Sequence, residues 1–363
     1  MHLLALDNKY SDCLLMELEI SSFEDRSELY LKINFNSGWE SIGQGRVKFG
    51  LKRGQLKLTW QDLEMPLIAR ELGADLEIAA FGSRQTQTWI FTPPRGENFL
   101  KNKSLDRVLL ATCKIKGDRP RIEAIFSVVP SNLSVIETEN LWRYDINPNK
   151  YTVLERKLVH FLKEYKIKKY LSWLQIGTEG KPFQSDYYRS ENKQVNLDIP
   201  ARELQELIDR VYKIETNDFL ELAELVDLNP IVDFAGGNFL ATNLNNIQLG
   251  GANLYRTNFR GADLTDADLS GSNLSYSKLS GADLSGAYLE NANLSHANLK
   301  SASLAVANLI GADLSYANLR DVNLTNTNFT KANLSKAVFS NNEGISAETK
   351  ANFIDRGAIF DDA

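Results

Sequence analysis

Between residues 234 and 339 a large apolar side chain recurs at every fifth position without a slip, from Phe234 through Leu284, Leu289, Leu294 and Leu299 to Phe339. No other feature of the 363-residue chain constrains its fold as much. The run makes 22 consecutive pentapeptides, each centred on Leu or Phe. An amphipathic helix needs a period of about 3.6 and a half-buried strand a period of 2, so five fits neither. Five helical residues turn the chain by about 500°, which scatters the leucines around the axis. Four pentapeptides that each turn the chain through a right angle close instead into a square coil of 20 residues. Two positions before each centre the residue is small or β-branched, and is Ala in 13 of the 22 repeats. Both residues then point inward, because the square is too narrow for two large side chains per side. The residue just before the centre is Asn or Asp in 17 of 22. Coils stacked by strand-like pairing at ~4.8 Å give 5.5 turns and a rod roughly 26 Å tall.

The repeats "GADLSGAYL", "NANLSHANL" and "GADLSYANL" carry the signature A-(D/N)-L-x-x. In this the chain resembles the pentapeptide-repeat proteins over residues 231–341, about a third of its length. The resemblance implies a right-handed quadrilateral β-helix. The lead-in "FLELAELVDLNPIVDF" (219–234) and the tail "EGISAETKANFIDRGAIF" (343–360) are similar to flanks seen on cyanobacterial members. Some members mimic DNA and inhibit DNA gyrase, most have no assigned activity, and the repeat itself is not known for catalysis.

Physical chemistry gives the flanks a role as end covers, which a solenoid requires. In residues 342–363, Ser346 is suited to cap a helix, Glu348 falls in its first turn, Arg356 near its end and Gly357 just past it. The lead-in is a short apolar helical pattern. Two covered ends predict a monomer.

Function on such a rod lives on its outer face, read as ladders of residues 20 apart. One ladder runs Gly236, Arg256, Tyr276, His296, Tyr316, Lys336; another runs Leu240, Arg260, Ser280, Lys300, Arg320, Ser340. Placed near one corner, they form a stripe of stacked aromatics flanked by cations, while Asp263, Asp266, Asp268, Asp283 and Glu290 are expected on the opposite side. The stripe is either a polar surface steadied by cross-coil stacking or a docking site for a protein with an acidic surface. In the second reading Arg256, Arg260, Tyr276, His296, Lys300, Tyr316, Arg320 and Lys336 are the partner-binding residues. Nucleic acid exploits the same pairing of stacking and charge, but the few cations of a net-acidic protein disfavour it.

Residues 1–145 have a different texture. Alternation marks Leu29, Leu31, Ile33, Phe35, then Val47, Phe49, Leu51 and Leu56, Leu58, Trp60 on either side of a turn at Arg53-Gly54. Further strands read at Met16–Ile20, Asp75–Phe81, Thr88–Phe91, Val108–Ile115 and Ile122–Val128, which together predict an antiparallel β-sandwich. Segment 146–230 reads as a mixed helical linker leading to the solenoid. "YTVLERKLVHFLKEY" and "PARELQELIDRVYKI" are helical, and 178–194 is a polar loop. His160 reads as a packed core histidine. Arg156, Lys157, Lys163, Lys166, Lys168 and Lys169, with Glu155 and Glu164 interspersed, read as a solvated helix face.

The fold class is therefore mainly β: an N-terminal antiparallel β-sandwich, a mixed middle segment and a C-terminal quadrilateral β-solenoid with capping helices. A net charge of −6 gives no bulk attraction to nucleic acid or anionic membrane. No apolar run reaches the ~18 residues of a membrane helix, and "MHLLALDNKY" lacks a basic leader, so the cytoplasm is the expected location. Two cysteines, Cys13 and Cys113, sit in apparent strands and are too few for a disulfide framework, and three histidines offer no metal spacing, so no cofactor is expected. "GTEGKP" and "GQGRVKFG" lack the form of phosphate or dinucleotide loops, and no nucleophile elbow occurs. The reading is a non-enzymatic interaction or scaffold protein. Its alternatives are a regulator of DNA topology, gyrase-directed or weakly DNA-binding, and, less favoured, an enzyme in the sandwich or linker.

Overall fold

The structure is a computed structural model that describes residues 1–8, 10–23, 26–65, 76–83, 85–94, 97, 99–100, 102–142, 145–167, 170–178 and 198–361. The chain forms two compact units, Met1–Leu141 with Val159–Gln205, and Trp142–Leu158 with Glu206–Ala363.

The first unit is built of antiparallel sheets, with strands numbered in chain order. A six-stranded sheet runs β1 (His2–Asn8), β13 (Ser172–Gly177), β11 (Arg121–Ser127), β6 (Gly54–Gln61), β9 (Thr86–Thr92), β8 (Glu77–Ser83). A four-stranded sheet runs β2 (Leu14–Ser22), β3 (Ser27–Phe35), β10 (Lys103–Ile115), β7 (Leu63–Glu64). A three-stranded sheet runs β12 (Leu133–Glu139), β5 (Gly45–Leu51), β4 (Ser37–Ile42). The alternating residues read from β3, β5 and β6 are all buried, as a sheet with one core face requires. Phe35 of the four-stranded sheet meets Phe91 and Phe126 of the six-stranded one at ring-centroid distances of 5.6 Å each.

Three readings change here. The strands on either side of Arg53-Gly54 belong to different sheets, β5 pairing with β4 and β12, and β6 with β9 and β11. Gly54 is required by close approach, because a Cβ there would lie 2.1 Å from the Phe126 ring. Residues 146–230 do not form a separate linker: β13 sits inside the six-stranded sheet between β1 and β11, while Trp142–Leu158 belongs with the solenoid. Cys13 lies in the turn before β2, not in a strand; it and Cys113 are buried free thiols. Burial pushes the Cys13 thiol up to about 12 and that of Cys113 up to about 11. The Asp75 end of the expected β8, most of the 178–194 loop, Lys168 and Lys169 lie outside the described residues.

In the second unit, bridges join residues 20 apart all along the solenoid, from Asn238↔Asn258 to Asp313↔Asn333. Each coil therefore holds four pentapeptides. Leu254 N–H donates to Asn273 C=O (2.9 Å) and Asn273 N–H to Ala252 C=O (2.9 Å), a parallel ladder. The central Leu and Phe side chains and the alanines two positions earlier are buried. Every corner is a turn such as Ala252 N–H to Leu249 C=O (3.1 Å), with its third residue left-handed (Gly251, φ 72°) as a type II turn requires. The frequent Asn or Asp before each centre has a local cause. Its side chain accepts the N–H two residues on, as in Ser295 N–H to Asn293 Oδ1 (3.0 Å), and so braces the corner.

At the far end, Ser346 N-caps helix Ala347–Asp355 by accepting Thr349 N–H (3.1 Å), and Gly357 follows it at φ 85°. Phe353 packs on Phe329 (5.0 Å) and Phe339 (5.4 Å), and Ile359–Phe360 pairs with Val338–Ser340. At the near end, helix Phe219–Leu225 lays Phe219 on Phe234 (4.8 Å) and Phe239 (5.3 Å).

A second helix, Pro148–Phe161, also serves the near end. Asn149, Thr152 and Arg156, at i, i+3 and i+7, share one side of it. Asn149 Nδ2 donates to Asn243 C=O (2.8 Å), Thr152 Oγ1 to Asn238 C=O (2.6 Å) and Arg156 Nη1 to Ala235 C=O (2.8 Å). Arg156 is thus not on a solvated face: it and Glu155 are fully buried and paired, Nε to Oε2 at 2.8 Å. Lys166 pairs with Glu40 at 2.6 Å, and His160 is half-buried. Among the described residues no helix is long and apolar enough to cross a membrane.

Candidate functional site

The corners fix where the outer ladders lie. Arg256 occupies the turn before the Asn258 bridge and Arg260 the turn after it. The two ladders therefore do not share a corner. They border opposite edges of one face, whose middle ladder is Asn238, Asn258, Lys278, Asn298, Asn318 and Val338. Four extended residues set the edges about 13 Å apart.

One edge is a column. Tyr276 and His296 stack with centroids 4.6 Å apart and planes 7° off parallel; His296 and Tyr316 stack at 4.7 Å and 7°. Arg256 lies over Tyr276 (5.5 Å), and Lys336 lies over Tyr316 (5.0 Å) while donating to its hydroxyl (3.2 Å). Every one of these five residues is left-handed, with φ between 58° and 60°. The spacing equals the coil rise because the ladder carries one ring per coil. Tyr276 and Tyr316 are 46% and 49% exposed, so the column is surface, not core.

The other edge carries Arg260, Ser280, Lys300 and Arg320. Arg260 Nε donates to Asn258 Oδ1 (3.1 Å), and Arg320 Nη1 to Asn318 Oδ1 (3.1 Å), which ties both guanidinium groups to the middle ladder. Two of the cations already hold carboxylates: Lys300 faces Asp321 at 3.7 Å and Arg320 faces Asp361 at 2.8 Å.

Lys278 was not among the residues singled out from the sequence. It breaks the Asn/Asp pattern before a centre, and that break is the signal that finds it. It stands in the middle of the face, where burial, then the charges of Arg260 and Arg256, hold its ammonium below the ordinary lysine value. Six of the seven Lys and Arg residues of 231–341 thus lie on this face or its edges, against one carboxylate, Asp321, leaving +5. The other seven carboxylates, against Lys331, leave −6 on the rest of the repeat body. Asp268 does lie on the opposite face, with Asp266 and Glu290 at its corners. Asp263 and Asp283 stand on the adjacent face.

Among the described residues no three His, Cys, Asp or Glu side chains gather where they could hold a metal ion.

Residues 233–271, 242–280, 267–305 and 302–341 match the family model described as pentapeptide repeats, in 8 copies. The solenoid is a pentapeptide-repeat domain. Its repeats are similar to those of solved pentapeptide-repeat structures. One from the cyanobacterium Cyanothece is 34% identical over 30% of this chain and 65% of that one, with a TM-score of 0.23. HetL from the cyanobacterium Nostoc, a pentapeptide-repeat protein involved in heterocyst differentiation regulation, is 26% identical over 32% of this chain and 62% of its own, TM-score 0.26. A pentapeptide-repeat protein of the Arabidopsis thaliana thylakoid lumen is 25% identical over 35% and 79%, TM-score 0.24. The chain spans just under two thirds of the first two relatives. No curated protein matches the sequence.

Proposed function

We propose that this protein is a non-catalytic interaction protein that offers the cationic face of its pentapeptide-repeat domain, as a rigid surface, to the acidic surface of a partner protein. The observation that carries this reading is the separation of charge: the repeat residues give +5 on one face, +4 once Asp361 of the tail is counted on it, and −6 on the rest of the repeat body. A rigid coil loses little entropy on binding, and a one-signed face steers an oppositely charged partner. The column supports it too. Five non-glycine residues held in left-handed geometry carry strain that two ring stacks and two cation–π contacts return only in part, so stability alone does not account for tyrosine and histidine where glycine or asparagine serves.

Two other readings are disfavoured. The column's ring faces are covered by one another and by Arg256 and Lys336, which leaves no face for a nucleobase to stack on. DNA mimicry needs about one negative charge per 1.7 Å of axis, some 15 over a rod of about 26 Å, and the acidic faces here net −6. Both ends of the repeat body are covered by aromatic side chains, which favours a monomer.

The test uses the full chain and polyglutamate as probe. The wild type binds it at low salt, R260E/K300E/R320E loses binding, and K331E, the one repeat cation away from the face, keeps it. Equal binding by all three proteins overturns the proposal.

A further inference from the structure

The cationic face is not evenly charged along the solenoid. Its far half is neutralised from within the chain, Lys300 by Asp321 at 3.7 Å and Arg320 by Asp361 at 2.8 Å, while Lys336 donates to the Tyr316 hydroxyl (3.2 Å). Its near half is not. Among the described residues Arg256, Arg260 and Lys278 have no carboxylate partner, and the three lie together. Lys278 stands one coil, about 4.8 Å, beyond Asn258, and Arg256 and Arg260 flank Asn258 two residues to either side. Both guanidinium groups approach the lysine. Arg260 Nε donates to Asn258 Oδ1 (3.1 Å), which lays that group onto the middle ladder. Arg256 reaches over to the coil of Lys278, 5.5 Å from the ring centre of Tyr276, two residues before the lysine.

Resting on the reading of this face as a docking surface, we infer that Arg256, Lys278 and Arg260 form a subsite for a phosphoryl group carried on a side chain of the partner protein. Charge decides between a phosphoryl group and a carboxylate. On the far half each carboxylate meets one cation. Three cations around one point call for more charge than a carboxylate brings, and a phosphorylated Ser or Thr carries about −1.5 to −2 with three acceptor oxygens. The donors suit it as well. Guanidinium groups bind phosphate through paired N–H···O bonds, and lysine binds it as a point charge. Only Nε of Arg260 is engaged, so its terminal nitrogens remain to donate. Arg256 Nε is buried without a partner.

A fourth donor is left over at the same place, because Lys278 interrupts the amide ladder. Asn258 Nδ2 donates to Asn238 Oδ1 (2.7 Å) and Asn318 Nδ2 to Asn298 Oδ1 (3.1 Å), each to the coil before it. Asn298 has Lys278 before it, and an ammonium offers no acceptor. Asn298 Nδ2 therefore has no partner among the described residues, and an oxyanion seated on Lys278 supplies one. Burial, then the charges of Arg260 and Arg256, disfavour the Lys278 ammonium, and a dianion offsets that repulsion. Arg260 and Asn298 are exposed, so the site is open to a phosphoryl group still attached to a protein. A nucleic-acid duplex fits less well. Its phosphates recur all along its axis, whereas Lys300 and Arg320 are already taken by carboxylates.

Three short peptides test this with the full-length protein. They share an otherwise uncharged sequence and carry phosphoserine, glutamate or serine at the centre, and binding at low salt is followed by ligand-observed NMR. The phosphoserine peptide binds about tenfold tighter than the glutamate peptide, and the serine peptide does not bind. R256Q/K278Q/R260Q loses that preference, whereas K300Q/R320Q, on the neutralised half, keeps it. Equal binding of the phosphoserine and glutamate peptides, or an equal loss in both variants, overturns the subsite and leaves the acidic-partner reading, which polyglutamate tests, in place. Failure of the phosphoserine peptide and of polyglutamate together overturns both. Inorganic phosphate that binds as tightly as the phosphoserine peptide assigns the site to the free ion, and a duplex oligonucleotide that binds more tightly assigns it to nucleic acid. Either result overturns the inference.

Discussion

Replacing Arg156 by Met tests how the open edge of the first coil is closed. The coil's upward carbonyls have no preceding coil to pair with, and buried backbone acceptors need partners. Helix Pro148–Phe161 supplies side-chain donors to three of them, at Asn243, Asn238 and Ala235. Arg156 is the charged member. Its Nε and Nη2 hold the two Glu155 oxygens at 2.8 and 3.2 Å, its Nη1 holds Ala235 C=O at 2.8 Å, and both side chains are fully buried. Methionine keeps the stem's packing but removes the guanidinium that compensates a buried carboxylate, a change that costs about 3–5 kcal/mol. Replacing both, E155L/R156M, removes the charge together with its partner and costs less, about 1–3 kcal/mol for the lost bond to Ala235. Because the chain has two units, a single unfolding free energy is not well defined. The assay is amide hydrogen exchange followed over 234–249, with 300–320 as an internal reference. At 1.4 kcal/mol per decade, R156M lowers protection of 234–249 by about two to three and a half decades, and the double variant lowers it less. Unchanged protection in R156M, or a double variant as severe as the single one, refutes the charged-edge account.

Val306 is β-branched, 65% exposed and left-handed (φ 64°), on a ladder otherwise made of Asn246, Asp266, Gly286 and Asn326. V306N should therefore stabilise the solenoid by about 1 kcal/mol, seen as slower exchange or a raised melting temperature; a lowered one counts against strain at that corner. K278Q should stabilise the repeat body while weakening polyglutamate binding, since the lysine's charge is disfavoured first by burial and then by Arg260 and Arg256. Destabilisation together with unchanged binding contradicts that role. The buried thiols set an alkaline limit. Cys13 at about 12 and Cys113 at about 11 bind their protons more tightly than the unfolded chain does, at the usual 9.0. Their contribution is fully present below pH 9 and is lost as pH rises from 9 toward 11 for Cys113 and toward 12 for Cys13, by up to about 1.4 kcal/mol per pH unit for each. The melting temperature of the first unit should fall across that range, less steeply in C13A, and an identical slope in C13A refutes it.

The solenoid was legible because its contacts obey one fixed sequence separation. Residue i meets residue i+20 at every position, so the period of five names the core, the coil and the ladders without any knowledge of distant pairing. The ladder of Tyr276, His296 and Tyr316 could be listed from the sequence for the same reason. Where that ladder sits relative to Arg260, Lys300 and Arg320 could not, because it depends on which residues form the corner; only the left-handed turn places Arg256 before a face and Arg260 after it.

The first unit has no such rule. Alternation identified β3, β5 and β6 as strands with one buried face, but strand pairing joins positions as remote as Leu174 and Ala124, or Ile176 and Leu3, and no local pattern encodes those registers. Arg156 makes the same point at a single residue. Beside lysines on a helix it reads as solvated charge, and it becomes a buried bond to the Ala235 carbonyl only because an unpaired coil edge, 79 residues away, needs a donor there. The sequence by itself determined what repeats every five residues. The tertiary structure decided what meets at distances no period measures, since buried polar groups and sheet edges are satisfied by whichever partner the fold brings to them.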